Sequence, residues 1–241
     1  MRVFYKISDK KNQLEIPASV QRVEFDDQLH GDTIHRIGFS RSETGRSIDT
    51  FKNIAKVTDV GNFQPVKLTE IEGVKNSRLQ NFKNEVAGDA FITNLQNIAL
   101  TIRVADCISV MLFDPVANAI GNIHAGWRGV AAGIIPKTVE AMAHEFGSEP
   151  RNVTATMSPS IGPCCFVMTD PKNELPEHMH AFIIANNVDL WRAAESQLMS
   201  AGINATNISN PRLCTACNSD TFHSSRKGDK GRFYTAIWLT E

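Results

Sequence analysis

Two short apolar runs, residues 108–113 and 119–123, are separated by Asp-Pro-Val-Ala-Asn, the composition of a tight reversal. That pattern predicts a β-hairpin. If Phe113 pairs with Asn118 across the turn, Cys107 falls directly opposite His124. Directly opposite residues on an antiparallel pair share a face, with Cβ atoms about 4.5–5.5 Å apart. A thiol and an imidazole so placed could grip one metal ion or exchange a proton. The run IALTIRV at 98–104 reads as a buried strand leading into Cys107. Residues 153–157 read as a short strand, and 232–240 as a closing one. Residues 1–25 alternate weakly and predict one or two strands, and 27–37, with His30 beside Gly31, predicts another.

Helical spacing appears later. In VAAGIIPKTVEAMAHEFG, residues Ile134, Ile135, Thr138, Val139, Met142 and Phe146 fall on one face of a helix. Pro136 should kink it or mark its first turn, and Gly147 should cap its C-terminus. Asp189 is the N-cap of a second helix through Leu198, with Trp191, Ala194 and Leu198 inward and Gly202 at its end. Residues 38–57 read as a Gly/Ser-rich loop followed by a short amphipathic segment, and 58–97 are polar with poor periodicity. There are no repeats, low-complexity tracts or clear linkers, so a single domain over residues 1–241 is expected.

Composition narrows the function. Lys plus Arg number 25 against 26 for Asp plus Glu, which gives no reason to expect nucleic acid or an anionic membrane as partner. The N-terminus lacks the apolar core of a signal peptide, and no apolar run approaches the roughly 18 residues of a membrane span. A cytoplasmic protein is expected. Five cysteines in a long chain argue against a disulfide framework and leave thiols for metal or catalysis.

The candidate chemistry gathers at one end of the hairpin. Asp106 precedes Cys107, and His-Ala-Gly-Trp-Arg-Gly follows the second strand. Arg128 offers a planar fork suited to phosphate or carboxylate. A helix starting just after that motif would aim its N-terminal amides at the site, a geometry that favours an anion. The adjacent Cys164 and Cys165 read as packing residues. Cys214-x-x-Cys217 has no second knuckle to complete a zinc site and is not expected to bind metal.

Three blocks bear a family resemblance: TIRVADCISVMLFDP with AIGNIHAGWRGVAAGII, SPSIGPCCF, and LCTACNSDTFHSSRKGDKGRFYTAIWL. They resemble the YfiH-type family, once described as multicopper polyphenol oxidases or laccase-domain proteins and since as purine nucleoside phosphorylases. The resemblance implies an α+β fold, layered α/β/β/α with mixed sheets and cysteine-hydrolase-like. It implies a metal, zinc with copper possible, held by His30, Cys107 and His124. The Gln28-Leu29-His30-Gly31 stretch matches the family's Q-V-H-G strand but stands farther from Cys107 than the family's spacing. At the usual spacing stands Gln64-Pro65-Val66-Lys67, where Val66 cannot bind metal, so the third ligand is either His30 or lost. The implied substrates are a purine nucleoside such as adenosine, inosine or methylthioadenosine, together with phosphate. The implied reaction is phosphorolysis or deamination, with Cys107 and His124 catalytic and Arg41, Asp106, Arg128 and Arg226 candidates for substrate and phosphate binding.

The same residues permit other classes. Cys107 as nucleophile and His124 as base would make a metal-free cysteine hydrolase or amidase. A non-catalytic relative that kept the fold after losing a ligand is a third reading. A multicopper oxidase would need more histidine ligands than the seven here could provide.

Overall fold

Short apolar runs become strands, and the 3.6-residue pattern becomes helices. The computed structural model describes residues 2–17, 19–25, 37–40, 65–67 and 89–241. The strands in order are β1 (Arg2–Ile7), β2 (Gln21–Phe25), β3 (Ile37–Ser40), β4 (Pro65–Lys67), β5 (Ala90–Thr93), β6 (Ile98–Val104) and β7 (Ile108–Asp114). They continue with β8 (Ala119–Ala125), β9 (Thr154–Met157), β10 (Ile183–Ile184), β11 (Asn187–Val188), β12 (Ile208–Ser209) and β13 (Phe233–Thr240). The helices are α1 (Trp127–Ala131), α2 (Ile134–Phe146), α3 (Pro171–Glu174) and α4 (Leu190–Ser200).

Among the described residues, one sheet runs β1-β13-β6-β2-β3 and a second runs β12-β9-β7-β8-β5-β4. Both are mixed, because β2 is parallel to β6, β4 to β5 and β12 to β9. Successive residues of a strand face opposite sides, and this alternation builds the layers. Ile108, Val110 and Leu112 of β7 pack with Ile134, Val139 and Met142 of α2 and with Leu190, Ala194 and Leu198 of α4. Met111 and Ile120, with Phe91 of β5, pack instead against Leu100 and Ile102 of β6 and against Phe233 and Ile237 of β13. The described residues therefore form a sheet-sheet-helix sandwich of mixed α/β type. On the far side of the first sheet, Leu14, Ile16 and Val20 pack with Ala99, Ala236 and Trp238.

A buried polar cluster joins the two sheets. Ser109 Oγ donates to Asn122 Oδ1 at 2.7 Å and lies 2.7 Å from Thr235 Oγ1, while Asn122 Nδ2 donates to the Leu100 carbonyl at 2.9 Å. All three side chains are fully buried. Such groups are tolerated because each finds a partner.

Four expectations need correction. The hairpin register is shifted: Phe113 pairs with Ile120 and Asp114 with Ala119, so Ser109, and not Cys107, lies opposite His124. The cause is Asp114, whose Oδ1 accepts from the amides of Val116 at 2.8 Å and Ala117 at 3.1 Å. This Asx turn moves the reversal one residue onward. The helix after the hairpin is broken in two, because Gly133 takes a left-handed φ of 73° between α1 and α2. Pro136 then sits in the first turn of α2, where a missing N–H costs little. Residues 37–40 form a strand where a loop was expected from 38 onward. Finally, Ala90–Thr93 is a fully buried strand that the polar surroundings hid.

Candidate active site

Cys107 stands one residue before β7, and His124 is the penultimate residue of β8. By register they are diagonal neighbours on the face turned toward the first sheet. Diagonal neighbours are still within reach of long side chains, and negative charge on Cys107 acts on the imidazole. A Cβ built on Gly126 would lie 3.1 Å from Cys107 Sγ and 3.7 Å from His124 Nε2. Sulfur and ring nitrogen thus border one small space that glycine keeps open.

On the other side of His124 lies Asp89, just before β5. The His124 amide donates to the Asp89 carbonyl at 2.7 Å, and the Asp89 carboxylate lies 3.3 Å from Nδ1. Burial disfavours charge on His124, but negative charge on Cys107 and on Asp89 outweighs it, and the pKa is pushed up to about 10. Sequence reasoning did not find Asp89. The signal available was its position just before the apolar quartet of β5, which went unread as a strand.

A cavity of about 250 Å³ opens beside the pair, lined by Cys107, Trp127, Arg128, Ile161, Phe166 and Arg226 among others. The guanidinium of Arg128 lies 4.2 Å from the centroid of the Trp127 ring, and that of Arg226 lies 5.7 Å from the Phe166 ring. Arg226 also donates to the Val167 carbonyl through both terminal nitrogens, at 3.0 and 3.1 Å. Asp106 lines the same cavity, yet its oxygens are committed: Oδ1 accepts from the Thr215 hydroxyl at 2.6 Å and Oδ2 from the Arg226 amide at 2.7 Å. Its backbone is left-handed, with φ 80°. Asp106 therefore holds the closing loop against the site, and Arg226 projects from that loop.

The structure brings together Asp106, Cys107, His124, Arg128 and Arg226. His30 and Arg41 lie outside the described residues. Val66 lies in β4, in register with Phe91 of β5. A soft sulfur donor and an imidazole whose second nitrogen faces a carboxylate suit zinc or copper. The described residues fit two positions of such a site.

A family model described as multi-copper polyphenol oxidoreductase laccase matches residues 9–240. The chain belongs to this family. Within the laccase family, purine nucleoside phosphorylase LACC1 of Mus musculus is 27% identical over 224 residues, which cover 83% of this chain and 52% of that protein. Adenosine deaminase RL5, from an unknown prokaryotic organism, is 32% identical over 162 residues, covering 62% of each. The crystal structure of Bacillus licheniformis YfiH superposes with a TM-score of 0.61 at 29% identity, over 75% of this chain and 71% of that one. This chain spans about half the length of mouse LACC1.

Proposed function

We propose that this protein is a metal-dependent enzyme of purine nucleosides, carrying out phosphorolysis with inorganic phosphate or deamination of adenosine. The observation that carries the reading is the convergence of Cys107 Sγ and His124 Nε2 on one space beside a cavity that mixes aromatic walls with guanidinium groups. The names of the relatives support the substrate class. Cys107, His124 and His30 would hold zinc, or copper, which supplies a Lewis acid beside the reacting atom. Asp89 orients the imidazole through Nδ1 and leaves Nε2 to face Cys107. Trp127 and Phe166 offer flat apolar surfaces for a purine, while Arg128 and Arg226, with Arg41, draw phosphate by charge and bidentate hydrogen bonding. Asp106 positions Arg226 through its backbone and touches no ligand itself.

The test is turnover of adenosine and inosine, with and without phosphate, by wild type and Cys107→Ala. The variant should lose turnover while its thermal unfolding stays near that of wild type, since alanine keeps the strand and removes only the sulfur. Wild-type rates in a folded Cys107→Ala protein would end the proposal.

One observation favours a second reading. The carboxylate of Asp89 on Nδ1 adds an orienting acid to the Cys107 thiol and the His124 imidazole, the residue set of a metal-free cysteine hydrolase or amidase. Turnover that survives a chelator and is abolished by thiol alkylation would select this reading over the first.

A further inference from the structure

Four cysteines other than Cys107 meet in one cluster, and none of them lines the cavity beside the Cys107 site. Cys164 and Cys165 come from the loop after β9, and Cys214 and Cys217 from the segment between β12 and β13. Their sulfurs all lie within 4.8 Å of one another. Cys164 and Cys165 read as packing residues and Cys214-x-x-Cys217 lacked a second knuckle in the sequence; the fold adds one pair to the other. We propose that Cys164, Cys165, Cys214 and Cys217 form a structural tetrathiolate zinc site.

The geometry supports a shared centre over packing or a single disulfide. Cys217 Sγ lies 3.5 Å from the sulfurs of both Cys164 and Cys165, so no one pair is singled out for a bond. Tetrahedral zinc with Zn–S bonds of about 2.3 Å sets sulfurs about 3.8 Å apart, within a small adjustment of the spacing seen. Cys164 and Cys217 are exposed, which is unlike thiols kept for packing and leaves a route for the ion, while Cys214 is buried. The surrounding backbone is arranged for thiolate. The Gly162 amide donates to Cys214 Sγ at 3.2 Å. This bond eases the excess negative charge that four thiolates leave on one divalent ion.

Backbone hydrogen bonds align the two loops. The Ser160 amide donates to the Leu213 carbonyl at 3.2 Å and the Thr215 amide to the Ser160 carbonyl at 3.0 Å. Gly162 is required, because a Cβ there would lie 2.7 Å from the Trp191 ring and 3.2 Å from Cys214 Cβ. Binding releases the thiol protons and clamps the loop bearing Phe166 to the segment bearing Thr215, the partner of Asp106. The ion would thus stiffen the cavity wall without meeting substrate.

The experiment uses the full chain carrying Cys107→Ser, which removes the sulfur of the other site, titrated with cobalt(II) and then zinc. The expected result is about one cobalt per chain, with the sulfur charge-transfer absorption and d–d bands of tetrahedral thiolate, displaced stoichiometrically by zinc. Adding Cys217→Ser to that protein should remove the thiolate bands. Because that double variant could misfold, alkylation of the wild-type chain is followed by mass spectrometry with and without zinc. Cys164 and Cys217 should react more slowly when zinc is present. Equal alkylation in both conditions, or cobalt spectra without thiolate absorption in the Cys107→Ser protein, overturns the proposal. Neither readout depends on turnover, so this site stands or falls apart from the proposed activity.

Discussion

His124 sits between two groups whose negative charge favours its protonated form, Asp89 across one strand neighbour and Cys107 across the other. Its folded pKa is raised to about 10 from 6.5, so the stabilisation it gives the metal-free chain is complete below about pH 6.5 and is lost as pH climbs through about 10. Urea unfolding of chelator-treated protein should therefore show a falling midpoint across that alkaline range. Metal binding through Nε2 must displace the same proton, so apparent zinc affinity at this site should rise about tenfold per pH unit below that value. An affinity that stays level between about pH 6 and 9 would mean that His124 carries no proton for the metal to displace. The residue types were legible: the cysteine and histidine end two apolar runs, and nothing in a core hairpin calls for them. Asp89 was not, because an acid gains meaning only from the strand that sets it beside an imidazole.

At the scale of elements, the closing segment between β12 and β13 depends on Asp106 for its attachment. Asp106→Ala strands the Thr215 hydroxyl and the Arg226 amide, each a donor to a carboxylate oxygen at present. Loss of such bonds costs about 1–3 kcal/mol, so the variant should unfold at lower urea. If the proposed phosphorolysis holds, its KM for phosphate should rise more than its kcat falls, because Arg226 is displaced and not removed. Equal changes in KM and kcat would place Asp106 in the chemical step itself. Strand β6 spans the apolar run from Ile98 to Val104, and α4 begins at its expected cap, with Asp189 accepting from the Arg192 amide at 3.0 Å. The hairpin turn was misjudged by one residue on each strand. Apolar periodicity specifies which residues form a strand, but the Asp114 side chain chose which of them turn. The error shifted the pairing by two positions and not one, so Cys107 and His124 kept a common face.

Across the whole molecule, the two sheets are held by the layer between them, to which β5 contributes Phe91, fully buried. Phe91→Ala should lower stability by about 3–5 kcal/mol through lost burial and the cavity left behind, read as a shift in urea midpoint at unchanged slope. A cost below about 1 kcal/mol would mean that the neighbouring side chains collapse into the space. The sequence by itself determined the apolar strands of the hairpin, the capped helix at Asp189 and the presence of a thiol and an imidazole at one end of a hairpin. Those features are local: they rest on alternation, turn composition and capping within a few residues. Only the tertiary structure decided that Asp89 orients His124, that Asp106 serves the closing loop, and that Cys164 and Cys165 meet Cys214 and Cys217. Each of those joins segments far apart in the chain, and such contacts follow from how sheets and loops pack, which no periodicity records.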